Sequence, residues 1–406
     1  MKTIYPVNIL KAILLFALLN SSLYLIFVPD GVLRLIIAAG MNISGCLLVI
    51  YFCYYILTKK FKSNLYFKMI FMLLIICSVI TNLRGLSLNF SDNITLFGHY
   101  LMSWAWMTPL AIVFGFNILN WTNLFSFIRN ILILGSLLTI SFVFFFPSCA
   151  IGLSELLILF PVLLLTYFYQ RKRIRLVVYL SIITLVILSY FSSQRANILF
   201  FGLSVCFFIF EYYRQPLIKL IRKITLSFKL IFVMISMIMA VIYASSYIFN
   251  KTMLRDTRTF LAVELFLDTS FQERIIGRGV LGTYYSPYFK HWNKSHEGGD
   301  SPTRSVNEIG YLHMLLKGGF IMIGLYLLIL LPAAFLGIFK SRNIIARMSG
   351  YFILLYIFLW LISYYPVYSA EYILLWMAVG TCISPQARKI SNSEILIQKN
   401  GRHVFR

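Results

Sequence analysis

The sequence predicts an all-α, polytopic membrane protein with about twelve transmembrane helices. Its 406 residues are 60% hydrophobic and only 12% charged, whereas soluble domains carry about 25% charged residues. Apolar runs of about twenty residues recur along the chain, and each is long enough to cross a hydrocarbon core of about 30 Å. The runs are continuous rather than alternating, which favours helices over a membrane barrel.

Twelve apolar runs account for most of the chain. The first has no small-residue cleavage site of the kind that ends a signal peptide, so we interpret it as a span. In chain order, the predicted spans lie near residues 8–28, 32–57, 65–82, 95–116, 124–147, 149–169, 176–192, 197–213, 226–248, 309–339, 345–365 and 367–384.

The positive charges predict the orientation of these spans. The net charge is +23, but its Lys and Arg residues lie in short loops, which is typical of membrane topology rather than of a nucleic-acid surface. Basic clusters follow spans two, six, eight, ten and twelve, at residues 59–62, 171–175, 214–223, 340–347 and from 388 onward. Both termini are therefore predicted to be cytoplasmic. The breaks at 83–94, 193–196, 249–308 and 365–366 then face the opposite side.

The predicted organisation has four parts. Residues 1–248 hold helices one to nine, 249–308 form one large periplasmic loop, 309–384 hold helices ten to twelve, and 385–406 form a cytoplasmic tail. Seven of the thirteen acidic residues fall between positions 256 and 308, so scarce polar chemistry is concentrated in the loop. The six cysteines are scattered without metal-ligand or disulfide spacing, and we expect no metal or cofactor.

Arg195 lies in a short polar break, Ser-Ser-Gln-Arg-Ala-Asn at residues 192–197. A charged side chain at a membrane boundary costs a few kcal/mol if it faces lipid. It therefore either reaches the headgroups as an anchor or faces a wet cavity. The positive-inside rule disfavours an arginine on the outer side, so a functional role stays open beside the anchoring role.

The large loop predicts an anion site. Residues 259–271 are amphipathic and are expected to form a helix at the membrane interface, and a glycine-rich turn follows at 275–282. Glycines permit positive φ and close backbone approach, and arginines suit phosphate and diphosphate oxygens. The candidates are Arg255, Arg258, Arg274 and Arg278. The alternative is that some of them pair with acidic residues within the loop, namely Asp256, Glu264, Asp268 and Glu273.

Other ionisable residues allow weaker hypotheses. His291 and His296 lack a third ligand at metal-binding spacing, and His313 is either a proton carrier or a packed polar group. Four further groups lie near the outer ends of predicted spans, where an ionisable residue is a functional candidate. These groups are Arg34, His99, Glu155 and Glu371.

Three motifs, taken in order, resemble the Wzy-like O-antigen polymerases of the O-antigen polymerase and ligase superfamily. The first is Ser-Ser-Gln-Arg at 192–195, which precedes a span. The second is Arg258, followed about twenty residues later by Gly-Arg-Gly at 277–279 and by Gly282. The third is the start of span ten, Asn-Glu-Ile-Gly-Tyr-Leu-His-Met-Leu-Leu-Lys-Gly-Gly at 307–319.

The resemblance implies polymerisation of undecaprenyl-diphosphate-linked oligosaccharide repeat units at the periplasmic face of a bacterial inner membrane. In that family two loop arginines hold the donor, a role that falls here on Arg195 and Arg258. Fixed guanidinium groups would stabilise the leaving diphosphate without a metal. Glu308 is the candidate base for the acceptor hydroxyl. Further substrate-binding candidates are Arg255, Gly277, Arg278, Gly279 and Asn307.

Two alternatives stay open, a ligase of the same superfamily and a transporter from another class. A ligase would carry a histidine about eleven residues before Gly319, where this chain has Glu308, which favours a polymerase. A lipid-linked oligosaccharide flippase would need a polar path through the spans, and transporters often show internal repeats. In this sequence the polar groups gather on one face, and no internal repeat is visible. Membrane lipid and a chain-length regulator protein are the other candidate partners.

Overall fold

The computed structural model describes residues 6–26, 31–59, 61, 63–146, 149, 152–166, 176–184, 195–221, 257–290 and 302–404, and helices account for most of them. The all-α class predicted from the sequence is confirmed. In these residues the only sheet has two antiparallel strands of two residues each, in which β1 (Tyr284–Tyr285) pairs with β2 (Thr303–Arg304), with Tyr284 opposite Arg304.

The first half of the described chain contains α1 (Pro6–Ile26), α2 (Gly31–Thr58), α3 (Leu65–Leu83), α4 (Phe90–Gly98), a 3-10 helix (Ser103–Ala111), α5 (Ile112–Gly115), α6 (Leu119–Val143), a second 3-10 helix (Ser154–Leu159), α7 (Phe160–Thr166) and a helix at 176–184. The second half contains α8 (Arg195–Ile221), α9 (Thr257–Asp268), α10 (Phe271–Ile276), α11 (Gly310–Phe339), α12 (Ile344–Leu359), α13 (Ala370–Ile383), α14 (Pro385–Lys389) and α15 (Asn392–Val404).

Five described helices are long and apolar enough to cross a membrane. They contain the segments Pro6–Leu23, Leu35–Thr58, Leu65–Leu83, Leu119–Val143 and Gly310–Phe339. Three shorter apolar helices accompany them, at Phe200–Glu211, Ile344–Leu359 and Ala370–Ile383. The chain is therefore a multi-pass helical membrane protein by length and composition. The predicted span at 226–248 lies outside the described residues.

Helix α13 occupies the centre of the bundle. All fourteen of its residues are buried, as expected of a helix that is apolar on every face. It approaches α5 so closely that a Cβ on Gly115 or Gly380 would overlap the backbone of the other helix. A polar chain fixes this contact, because Trp121 Nε1 donates to Thr381 Oγ1 at 2.9 Å and Thr381 Oγ1 donates to the Gly115 carbonyl at 3.0 Å.

The predicted span at 95–116 is not one continuous helix. Helix α4 ends at Gly98, and the chain continues as a 3-10 helix that contains Pro109 before the short α5. Proline removes a backbone donor and disfavours the α conformation in the residue before it. Most of residues 101–116 are buried, and irregular backbone is tolerated at membrane depth where protein covers it.

Helix α8 runs antiparallel to α12. Phe200 contacts Tyr356 near one end, and Phe207 contacts Tyr351 further along. At the far end, the buried Glu211 accepts from Arg347 Nε at 2.6 Å and from Arg214 Nη1 at 3.4 Å. The first turn of α8 therefore lies near the end of α12 that leads into residues 360–369.

Candidate functional site

The described part of the large loop covers the first turns of α11. Leu261 and Leu265 of α9 are buried, and Leu265 joins a small apolar cluster with Tyr284, Leu315 and Leu316. Helix α10 is fixed by a capping box in which Ser270 and Glu273 bond reciprocally to each other's backbone amides. Residues 257–290 thus form a packed layer on the end of α11 that begins at Gly310, and we call them the loop layer.

Two glycines with positive φ join this layer to α11. Gly277 has φ 71° and ψ 179°, and Gly319 interrupts α11 with φ 68° and ψ −171°. Both conformations lie in a region of backbone space that is essentially restricted to glycine. A Cβ on Gly277 would overlap Lys317 and Gly318, and a Cβ on Gly319 would overlap the Ile275 carbonyl. We call this mutual approach the glycine contact.

Hydrogen bonds complete the glycine contact. The break at Gly319 interrupts the helical ladder, and nearby carbonyls of α11 accept from the loop instead. The Arg278 amide donates to the Leu316 carbonyl at 2.7 Å, and the Gly279 amide donates to the Lys317 carbonyl at 3.0 Å. Thus the structure gives Gly277 and Gly279, both buried, a packing role. Their predicted part in binding substrate stays a prediction.

Lys317 bonds to the same turn from inside α11. Its side chain is fully buried, and Nζ donates to the carbonyls of Val280 at 2.8 Å and Gly282 at 2.9 Å. The bond to Val280 is buried and the bond to Gly282 is partly buried, and buried carbonyls need such donors. The turn is therefore held by α11 through both its backbone and this side chain.

Arg278 is surrounded by loop acceptors. Its guanidinium bonds to both carboxylate oxygens of Glu273, with Nε at 2.9 Å, and to the Asp268 carboxylate. Further bonds go to the carbonyls of Thr283 and Asp268. These contacts match the alternative in which loop arginines pair with loop acids. A substrate phosphate would have to displace them, so the geometry favours a structural role for Arg278.

The ion pair with Arg278 predicts a pH dependence of loop docking. Hydrogen bonds from Arg278 and then from the Ser270 amide lower the pKa of Glu273 from 4.5 to about 2. A depressed carboxyl pKa contributes stability that is complete above about pH 4.5 and is lost as the pH falls toward 2. We expect pepsin to cleave within residues 257–290 faster as the pH falls through this window.

The Glu273→Gln variant is the control for this expectation. Its cleavage should be faster than that of the natural protein at pH 4.5 and should change less toward pH 2, because glutamine does not titrate. Identical pH profiles for the two proteins would contradict a docking role for the Glu273 carboxylate.

Glu308 and Asn307 differ in accessibility. The Glu308 side chain is 47% exposed and accepts from Arg304 Nη2 at 2.7 Å. Asn307 is fully buried, and its Oδ1 accepts from the Ile309 amide at 3.1 Å. Glu308 is therefore accessible to a substrate hydroxyl, whereas Asn307 orients the start of α11.

The two principal arginine candidates lie in the first turns of helices. Arg195 is the first residue of α8 and Arg258 the second of α9; their side chains, and all of Arg255, lie outside what the structure describes. Near the start of α8, Phe200 contacts Tyr364, and Gly310 of α11 packs against the Tyr364 carbonyl. The start of α8 and the loop layer on α11 therefore lie at one end of the bundle.

Arg84 contacts the loop layer, a contact that the sequence does not predict. It follows α3, its Nη1 donates to the Ile276 carbonyl at 2.9 Å, and Gly279 packs against its backbone and Cβ. A lone arginine in a short polar break gives no sign of this contact in sequence. The available signal was its position in the 83–94 break, where the positive-inside rule disfavours a cation.

Searches against protein-family models, curated proteins and solved structures return no match to this chain.

Proposed function

We propose that this protein polymerises undecaprenyl-diphosphate-linked oligosaccharide repeat units into O-antigen or a related surface polysaccharide. The proposal includes twelve spans with both termini in the cytoplasm of a bacterium, and a loop layer at the periplasmic face of the inner membrane. The observation that carries it is the common position of the start of α8, which bears Arg195, and of the loop layer that includes α9, which bears Arg258.

Both arginines suit a diphosphate. The first turn of a helix has unpaired amides and a partial positive charge, and it favours anions. A guanidinium added there supplies planar donors that match phosphate oxygens. Because the two helices are held by separate contacts, their first turns would form a preorganised site, which is where electrostatic stabilisation of a leaving group is most effective.

The proposed reaction transfers a glycan between lipid carriers. The bond between the donor's anomeric carbon and its diphosphate oxygen breaks, and undecaprenyl diphosphate leaves with the bonding electrons. The hydroxyl at the non-reducing end of the acceptor attacks the anomeric carbon and forms the new glycosidic bond. Glu308, whose side chain is half exposed, is the proposed acceptor of the hydroxyl proton. Chain-length control would come from a separate regulator protein.

The banding pattern of surface glycan tests this function. Deleting the gene should leave glycan with a single repeat unit, and normal long chains after deletion would reject the polymerase. Loss of a flippase would instead remove the single-unit form as well, and loss of a ligase would leave polymer that is not attached to its final acceptor.

Point variants test the two arginines. Arg195→Ala and Arg258→Ala should each give the single-unit pattern at an unchanged protein level. Arg129→Ala is a matched control and should retain long chains, because Arg129 lies in α6 and, within the described part of the chain, bonds only to the adjacent Asn130. If Arg195→Ala and Arg258→Ala both retain long chains, neither arginine takes part in the mechanism.

A further inference from the structure

The exposure of α11 changes abruptly at Gly319. From Gly310 to Gly319 no residue is exposed, because the loop layer and neighbouring helices cover this part. From Phe320 onward, large apolar side chains face outward. They are Phe320, Ile321, Leu328, Leu331, Phe335 and Phe339. The first part of α11 is thus covered by protein, and the second part has the outward apolar surface of a lipid-facing helix.

The length of the second part matches a membrane. Residues 320–339 are twenty in number, which corresponds to about 30 Å of helix and to the thickness of a hydrocarbon core. This part ends at Lys340, where a basic turn begins. On this length, a hydrocarbon core spanned by the second part of α11 would begin at Gly319 at the loop end.

Helix α3 gives the same level independently. It has nineteen residues and ends at Leu83, a length of about 28 Å. At this end the Val280 amide donates to the Thr81 carbonyl at 3.1 Å, and Arg84 donates to the Ile276 carbonyl. The end of α3 thus lies beside the loop turn that contacts Gly319.

Four exposed apolar side chains gather at this level. Their exposed fractions are 58% for Leu83, 75% for Phe271, 50% for Ile276 and 52% for Phe320. Phe271 and Ile276 begin and end α10, and the Arg84–Ile276 bond and the Ile275–Gly319 approach place α10 between Leu83 and Phe320. We call these four residues the apolar collar. It continues the lipid-facing surfaces of α3 and α11 into the loop.

Arg84 lies beside the collar and differs from the other described loop-end arginines. Arg278 and Arg304 bond to carboxylates, and Arg274 bonds to the Phe266 carbonyl and Thr269. Arg84 is exposed and directs one N–H group to the Ile276 carbonyl. A guanidinium has five N–H donors, and among the described residues Arg84 uses one of them on the Ile276 carbonyl, so the others are available beside the collar.

We propose that the apolar collar and Arg84 bind phospholipid of the leaflet at the loop end. The collar side chains contact the upper parts of acyl chains, and Arg84 donates to a lipid phosphate. This seats the loop layer in the membrane surface and sets its height above the bilayer. The proposal does not depend on polymerisation, because it uses only the membrane-spanning lengths and the collar.

Site-specific photocrosslinking tests the collar. The photoreactive residue p-benzoylphenylalanine is placed at position 271 or 276, and the protein is reconstituted in vesicles of phosphatidylethanolamine and phosphatidylglycerol. Position 72 in α3 is the lipid-facing control, and position 285 is an exposed control on the same loop. We expect phospholipid adducts at 271 and 276 with yields within about threefold of position 72, and at least tenfold lower yields at 285.

Two outcomes would overturn the proposal that the apolar collar binds phospholipid. One is an adduct yield at 271 and 276 no higher than at 285. The other is crosslinking of 271 and 276 to a second copy of the chain instead of to lipid, which would make the collar a subunit interface. Because the readout is a lipid adduct, a protein that fails to polymerise glycans but gives these adducts would separate the two proposals.

Arg84 is tested in the same vesicles. Arg84→Gln should lower the adduct yield at position 276 at least threefold, whereas Arg84→Lys should retain most of it. Arg129→Gln, which removes one arginine elsewhere, should leave the yield unchanged. Variants are compared only if their thermal midpoints lie within a few degrees of the natural protein. An unchanged yield in Arg84→Gln removes the phosphate contact, even if the collar itself crosslinks.

Discussion

Replacing Gly277 with alanine is expected to detach the loop layer from α11. An L-residue at φ 71° and ψ 179° costs about 1–3 kcal/mol in backbone strain. The new Cβ would also overlap the Lys317 carbonyl and the Gly318 nitrogen, and neither backbone group can rotate away as a side chain could. We expect about 3 kcal/mol of destabilisation, because two mechanisms of large mutational effects act at one position.

Thermal unfolding in detergent and trypsin cleavage at loop arginines measure this effect. Gly324→Ala is the matched control, because Gly324 is helical and a Cβ there meets no atom of the described residues within 4 Å. Alanine should stabilise that position by up to about 1 kcal/mol. If Gly277→Ala unfolds like the natural protein and resists trypsin equally, the glycine contact does not hold the loop.

Removing the carboxylate of Glu211 is expected to weaken the packing of α8 on α12 around residue 211. The Glu211 side chain is 2% exposed and bonds to Arg347 and Arg214. Breaking a buried pair from one side costs about 3–5 kcal/mol, because a charge stays buried without its partner. Glu211→Leu should therefore be strongly destabilising. Since α8 begins at Arg195, it should also shorten the glycan product if the proposed function holds.

A double variant separates charge from packing. When both members of a buried pair become apolar, the cost is often small, so Glu211→Leu with Arg347→Leu should recover much of the lost stability. Glu394→Leu is the control, because Glu394 lies outside the core and bonds to Ser391. A double variant no more stable than Glu211→Leu alone would show that packing, rather than an unpaired cation, explains the loss.

The fold class could be predicted because hydrophobicity and length are properties of single segments. Whether a span is one continuous helix could not be predicted, because that depends on the helices that pack against it. Residues 95–116 have the composition of a span, but Pro109 and burial against α13 allow the 3-10 helix that the structure contains. The break at Gly319 was similarly hidden, because a glycine within an apolar run does not reveal whether it adopts a helical φ.

The candidate site was predictable in residue type and less so in role. Arginine and glycine in the large loop indicated an anion site, yet Arg278 bonds to Asp268 and Glu273, and Gly277 packs on Lys317. These roles depend on which segments meet, and a charge count does not contain that information. Arg195 and Arg258 keep the roles that the family resemblance gives them as predictions.

The central position of α13 has a consequence for biosynthesis. Its buried surface packs on α5, and Thr381 bonds to Trp121 and Gly115, which are synthesised 260 and 266 residues earlier. The earlier helices therefore lack this packing partner until α13 has been synthesised. A nascent chain halted before residue 370 would expose to chaperones and membrane proteases the surface that α13 covers, so the bundle could be completed only once α13 is inserted.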